Sequence, residues 1–222
     1  MADIFDELNE DLRAERARGL ARRYGAMGAG VLVVVLIGVG GWQGWKWQQS
    51  RQAEAASGPY LAATGVLTPG AQRGQPTDPD AFAKIAATAP TGYRTLAELQ
   101  EAALRWSAGD TAKALALWDK VGTDGDSPML RDLGNLLWAQ HSIDAGDPSA
   151  IAARTSKLQA QANPWRPLAQ EVDAMVAIRQ DDKDKATRLL RTLVADPAAA
   201  DGLRRRASEL LVVLGAPPEA RG

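Results

Sequence analysis

The sequence predicts an all-α protein in which a single N-terminal membrane-spanning helix precedes a stack of helical hairpins. Three observations support this fold: one long uncharged apolar segment, an alanine-rich composition with β-branched runs only in that segment, and helix–turn–helix patterns that recur after it. We predict a cytoplasmic amphipathic tail (1–23), a transmembrane helix (24–45), a membrane-exit helix with a loop and a short helix (46–94), and a helical-repeat domain with a C-terminal capping helix (95–222).

The apolar segment from Tyr24 to Trp45 contains 22 residues without a charged side chain. At about 1.5 Å per residue, such a helix is about 33 Å long and crosses a hydrocarbon core of about 30 Å. The alternative is a cleavable signal peptide, because Ala53-Glu54-Ala55 resembles a cleavage site. However, the apolar part of a signal peptide has only about 7–15 residues. The tryptophans that follow the apolar run are typical of a membrane interface, so we predict a retained anchor.

Basic residues around this segment predict its orientation. Only Lys46 and Arg51 follow it within the next 20 residues. Five arginines precede it closely: Arg13, Arg16, Arg18, Arg22 and Arg23. Because basic residues near a span stay in the cytoplasm, we expect a single-pass protein of the bacterial inner membrane with a cytoplasmic N-terminus and a periplasmic C-terminal domain.

Small residues at four-residue spacing occur within the span, and Gly40 and Gly44 are the candidate pair for a helix–helix contact in the membrane. Glycines at this spacing let two helices approach closely in lipid. Glycine is also common in single spans, so an ordinary span without such a contact is the alternative.

Helix starts can be predicted after the span from capping residues and proline. Asp78-Pro79, Ser127-Pro128, Asp147-Pro148 and Asn163-Pro164 each combine an N-cap residue with a following proline. Thr95-Leu96-Ala97-Glu98 has the pattern of a capping box and predicts a helix that starts at Thr95. The segment from residue 64 to residue 77 is rich in glycine and proline and is predicted as a loop.

The predicted helices are grouped into repeats. Turns at Gly109, Gly146 and Asp181 are separated by 37 and 35 residues, close to the period of about 34 residues of tetratricopeptide repeats. Ala114 and Trp118 follow the first turn at positions that fit this pattern. The second unit lacks the expected small and aromatic residues. We therefore predict an α-solenoid of degenerate tetratricopeptide-like hairpins.

The composition offers little for enzyme chemistry. The chain has no cysteine and one histidine, His141, and it contains neither a phosphate-binding loop nor a nucleophile elbow. Its net charge of −1 does not favour nucleic acid. We expect a non-enzymatic protein with no catalytic, metal or cofactor site, no cofactor and no small-molecule substrate.

Binding of protein partners is the remaining function, because helical-repeat stacks offer a concave groove for peptides or helices. Trp106 and Trp165 are the candidate partner-binding residues, since each lies off the main apolar face or at a helix start. Packing in the core is the alternative role for both tryptophans.

Three parts of the chain carry a resemblance to a known family: the end of the span (38–47), residues 81–110 and residues 164–186. In these parts the chain resembles the YfgM family of ancillary SecYEG translocon subunits. The resemblance implies an inner-membrane protein beside the Sec translocon that works with periplasmic chaperones or exported chains. The segment Ile4-Phe5-Asp6-Glu7 and the loop from residue 64 to residue 77 have no counterpart in the family. No catalytic residue is implied.

A structural or assembly subunit of another cell-envelope complex would use the same fold. Co-purification distinguishes the two functions, because recovery of a different stable complex without translocon subunits would contradict a role beside the translocon. An enzyme is the third class, and the missing site chemistry argues against it.

Overall fold

The computed structural model describes residues 37–65 and 78–216, and all regular structure in these residues is helical, as predicted. Helix α1 comprises the described residues 37–63. The later helices are α2 (Pro79–Thr88), α3 (Thr91–Ser107), α4 (Thr111–Asp124), α5 (Pro128–His141), α6 (Pro148–Thr155), a 3₁₀ turn (Ser156–Leu158), α7 (Arg166–Arg179), α8 (Lys183–Ala195) and α9 (Asp201–Val213). The chain forms two compact units, Met1–Gln52 and Ala53–Gly222.

The predicted anchor falls largely outside the described residues. Within residues 37–65 and 78–216, no helix is long and apolar enough to cross a membrane. The tail (1–23), most of the predicted span (24–36) and most of the predicted loop (66–77) lie outside the described residues. The transmembrane helix therefore stays a prediction.

Three of the predicted helix starts are confirmed. The side chains of Asp78, Ser127 and Asp147 accept hydrogen bonds from backbone N–H groups in the first turns of α2, α5 and α6. Each of these helices has proline at its first position, where a missing N–H costs nothing. The fourth helix starts later than predicted: Asn163 accepts a bond from the N–H of Trp165, and α7 begins only at Arg166.

The predicted capping box at Thr95 is wrong. Helix α3 begins four residues earlier, at Thr91, after the extended Pro90. Thr95 and Glu98 therefore lie inside the helix and are buried. The Thr95 hydroxyl donates to the carbonyl of Thr91 and accepts from the N–H of Asp126, which joins α3 to the end of α4. Their polar side chains connect neighbouring helices instead of capping α3.

The stack also begins before the predicted repeat boundary at residue 95, which falls within α3. Tyr60, near the end of α1, packs edge-on against Phe82 of α2 at a centroid distance of 5.9 Å and against Tyr93 of α3 at 5.7 Å. Residues 53–63 and α2 thus form an additional helical pair. From α2 to α5, each helix packs against the next one in the chain.

Two of the three predicted turns have the same structure. Gly109, between α3 and α4, and Asp181, between α7 and α8, both adopt positive φ values, of 86° and 58°. The following residues, Asp110 and Asp182, cap the next helix by accepting a backbone N–H bond. The turn at Gly146 differs, since it leads into α6, which has only 8 residues. The second repeat is therefore the irregular one, as the sequence indicates.

The larger apolar residues Leu133 and Trp138 of α5 are only half-buried. The fully buried positions are Gly134, Asn135, Leu136 and Ala139. A Cβ at Gly134 would lie 2.6 Å from the backbone nitrogen of Gly122 and 2.9 Å from Cγ1 of Val121. Glycine is thus required where α4 and α5 make their closest approach.

Candidate partner-binding groove

A groove of about 780 Å³ opens between alternate helices of the stack, α5, α7 and α9. Alternate helices share one side of a helical-repeat stack, the side that such proteins use for binding. Six apolar side chains line the groove: Ile143, Leu168, Val172, Met175, Leu210 and Val213. Among them, Val213 is 82% exposed, so the groove presents apolar surface to solvent.

Four polar side chains complete the lining of the groove: Gln140, Glu171, Arg206 and Glu209. Arg206 of α9 donates two hydrogen bonds to Glu171 of α7, with Nε–Oε1 and Nη2–Oε2 distances of 2.9 and 3.0 Å. This bidentate pair fixes α7 against α9. Hydrogen bonding to Glu171, followed by the charges of Glu171 and Glu209, raises the pKa of Arg206.

The loop after α5 forms one wall of the groove, and Arg179 holds it in place. At the end of α7, this arginine donates to the carbonyl oxygens of Ile143 and Gly146, the second at 2.9 Å. Because Ile143 contributes its side chain to the groove, the two bonds position an apolar lining residue that lies outside any helix. A loop held by charge-assisted bonds gives the groove a fixed wall.

Trp106, the first candidate binding residue, lies away from the groove. Its half-buried indole is 5.8 Å from that of Trp118 and 4.3 Å from the imidazole of His141, centroid to centroid. The cluster joins α3, α4 and α5 and includes the buried Ala102 and Ala114. The structure therefore gives Trp106 a packing contact, and its partner-binding role stays a prediction.

Trp165, the second candidate, also lies outside the groove lining. It immediately precedes α7, is half-buried, and packs against the core cluster that contains Leu136, Ile151 and Val172. Its indole Nε1 is buried and has no hydrogen-bond partner in the described part of the chain. Trp165 thus packs against residues of α7, a helix that also lines the groove, but the tryptophan itself is not part of the groove surface.

The two glycines of the candidate helix–helix contact in the membrane are among the described residues. Gly40 and Gly44 both lie in α1, and apart from the adjoining helix backbone no described atom comes within 4 Å of the position that a Cβ would occupy on either residue. The nearby Trp42, Trp45 and Trp47 are exposed. These glycines are therefore available for a close approach, and the contact itself stays a prediction.

Asp173 of α7 is the most buried carboxylate whose pKa is shifted in the described residues. Burial raises its pKa, and hydrogen bonds from Thr155 (2.6 Å) and Gln159 (2.9 Å) oppose that rise. The described residues contain no cluster of three potential metal ligands. Asp173 thus joins α7 to the end of α6 and to the residue that follows the 3₁₀ turn.

Sequence reasoning missed the groove because its residues look like core residues. Leu168 and Met175 of α7 are large apolar residues at helical spacing, yet both are half-buried and line the groove. The available signal was the width of the apolar surface of α7. Fully buried Ala169 and Ala177 occupy one part of that surface, and the larger side chains occupy another. A helix that is apolar over more than one face has more than one contact to make.

Comparison with known proteins gives one positive result. Searches of curated proteins and of solved structures found no match. The sequence model of the tetratricopeptide repeat-like domain matches residues 21–192, which is more than half of the chain. The matched region includes the whole predicted span and the helices from α2 to α7. The chain therefore belongs to the tetratricopeptide repeat-like domain family.

Proposed function

We propose that this protein is an inner-membrane-anchored, periplasmic interaction module that binds an apolar segment of a partner protein between α5, α7 and α9. Tetratricopeptide repeat-like domains are non-enzymatic interaction folds, and family membership supports protein partners in general. The observation that carries the proposal is the accessible apolar groove. Its volume lies within the range of about 300–1,000 Å³ that is usual for ligand sites.

The shape of the groove favours a short segment of a partner over a folded domain. Three helices and one loop surround it, and each of them contributes to its lining. Burial of apolar surface provides affinity at about 25 cal/mol per Å² before the costs of association. An amphipathic helix, or a few side chains of an unfolded chain, provides apolar groups of the required size.

The membrane anchor and the translocon complete the proposal. The uncharged segment 24–45 lies within the region that the family shares, which supports treating it as part of the domain's architecture instead of a removable leader. The resemblance to YfgM proteins supports the Sec translocon as the neighbour and periplasmic chaperones or exported chains as the groove's partners. Single spans add lateral contacts through small faces such as Gly40 and Gly44.

Two adjacent valines of α9 provide a matched test. Val213 lines the groove, whereas Val212 does not, and both are exposed, at 82% and 61%. Val213→Asp in the full-length protein should reduce recovery of the periplasmic partners after mild detergent extraction at least several-fold. Val212→Asp should leave recovery unchanged, and both variants should keep the wild-type circular dichroism spectrum.

The possible outcomes separate the parts of the proposal. Equal recovery with both variants contradicts binding in the groove. Recovery of another stable complex that lacks translocon subunits, lost only in Val213→Asp, contradicts the translocon but leaves the groove as a binding site. A variant in which residues 24–45 are replaced by an unrelated apolar helix of equal length tests whether lateral contacts contribute to the attachment.

A further inference from the structure

We infer that the segment bound in the groove carries a basic side chain that contacts the carboxylate of Glu209. This inference rests on the proposed function and specifies the chemistry of the partner. It follows from the distribution of charge among the four polar lining residues.

Arg206 interacts with Glu209 through its charge, but its hydrogen bonds go to Glu171. Its Nε and Nη2 atoms are each bonded to one oxygen of Glu171, so this guanidinium and this carboxylate neutralise one another. Glu209 forms no ion pair with any described residue. Gln140 is uncharged. The lining of the groove therefore has a net charge of −1, and Glu209 on α9 is its one carboxylate without a directly bonded partner in the described residues.

The position of Glu209 places that charge beside the apolar surface. On α9 it comes one turn after Arg206 and one turn before Val213, and its neighbour Leu210 also lines the groove. A segment that covers Leu210 and Val213 must therefore remove water from around the carboxylate. Loss of water without a new partner costs free energy, whereas a lysine or arginine on the segment restores the lost interactions. An acidic side chain at the same place is repelled.

Three peptides with the same apolar sequence test this inference. Each is a fluorescein-labelled 12-residue peptide of leucine and alanine whose central residue is lysine, glutamine or glutamate, and binding to the full-length protein in detergent is measured by anisotropy. The lysine peptide should bind about two- to fivefold more tightly than the glutamine peptide, which is the size expected for a partly exposed ion pair. The glutamate peptide should bind most weakly, and added salt should reduce the differences.

Two charge reversals show where the preference originates. Glu209→Lys should reverse the order of the three peptides. Asp124→Lys changes the net charge equally, and Asp124 is an exposed residue at the end of α4 outside the groove. This control should keep the preference for lysine.

Each other outcome has a definite meaning. If none of the peptides binds, the proposed function fails. If all three bind equally, or if Asp124→Lys changes the order as much as Glu209→Lys, the groove still binds apolar segments but the inference about charge is overturned. If self-association of the protein excludes the peptides, the occupant is a second copy of this chain, and the inference is again overturned.

Discussion

The imidazole of His141 stacks on the indole of Trp118, with a centroid distance of 4.3 Å and an interplanar angle of 7°. The two residues lie on α5 and α4, so the stack connects the first and second predicted repeats. Burial among aromatic rings disfavours the charged imidazolium and lowers the pKa of His141 below its ordinary value of 6.5. The contact thus links the proton affinity of His141 to repeat packing.

We predict that His141 makes the repeat unit less stable in mild acid. Because its pKa is lower in the folded than in the unfolded state, its contribution to the unfolding free energy is complete above the unfolded pKa of about 6.5. That contribution is lost as the pH falls through the lowered pKa of the folded state. Urea unfolding at a series of pH values measures it. His141→Phe keeps an aromatic ring and should remove this part of the pH dependence, and an unchanged profile in that variant would contradict the prediction.

Trp118→Ala should reduce the unfolding free energy of the fragment that begins at Ala53 by about 3–5 kcal/mol, as expected for truncation of a core tryptophan. Trp118 is only 1% exposed, and residues from Ala53 onward form one compact unit that we expect to fold without the membrane. Chemical denaturation followed by circular dichroism measures the loss. Met129→Ala is the control, since Met129 is 59% exposed and its truncation should change stability by less than about 0.5 kcal/mol. A loss below about 1 kcal/mol in Trp118→Ala would contradict the burial of this side chain.

Lys120→Met should destabilise the pair of helices α3 and α4. The ammonium group of Lys120 donates to the carboxylate of Glu98, whose side chain is only 6% exposed. Removal of the lysine leaves a buried carboxylate without its partner, which costs about 1–3 kcal/mol. Glu98→Gln in the same background removes the charge and should recover part of that loss, so a double-mutant cycle measures the coupling. Additive effects of the two substitutions would show that the ion pair contributes nothing to stability.

The two glycines Gly134 and Gly202 should respond oppositely to substitution by alanine. Gly134→Ala introduces a Cβ 2.6 Å from the backbone of α4 and should cost about 1–3 kcal/mol through overpacking. Gly202, in the first turn of α9, has no described atom within 4 Å of the Cβ position apart from the adjoining helix backbone, and alanine there should stabilise by about 0.4–1 kcal/mol. Thermal unfolding of both variants tests the close approach of α4 and α5. Destabilisation by Gly202→Ala would contradict the open environment of that residue.

The anchor can be tested by substitution at the centre of the predicted span. Arginine at Val34 and Val35 should each raise the free energy of insertion by about 2.5–3.5 kcal/mol and release the protein from the membrane fraction. A reporter that is active only in the periplasm should work when fused after Gly222 and fail when fused after Asp11. Full retention of the double variant in the membrane would show that the anchor lies elsewhere, and the opposite reporter pattern would contradict the predicted orientation.

The sequence predicted the helix starts well because their signals are local. Asp78, Ser127 and Asp147 each accept a bond from an N–H only two or three residues away, and the next residue is proline in all three cases. Thr95 and Glu98 carry the same type of local signal, yet they lie inside α3 and do not cap it. Their side chains bond to groups on α4 or just after it, and such long-range partners are not encoded in a short sequence window.

The groove was unpredictable for a related reason. Periodicity identifies which residues of α7 and α9 are apolar, but it does not distinguish an apolar side chain that meets another helix from one that faces an opening. Leu190 is fully buried, whereas Val213 is exposed, and the local sequences around them do not differ in kind. Trp106 and Trp165 are candidates because of their positions off the main apolar face or at a helix start, whereas the groove arises from the spacing of three helices.

The short α6 has a consequence for folding cooperativity. In a linear stack, stability is divided among individual repeats and the interfaces between neighbours. The junction between α5 and α7 depends on an eight-residue helix and one 3₁₀ turn, so we expect nearest-neighbour coupling to be weakest there. The groove takes Gln140 and Ile143 from one side of this junction and its other lining residues from α7 and α9. A bound segment therefore connects residues on both sides of this junction, and it should raise the cooperativity of unfolding.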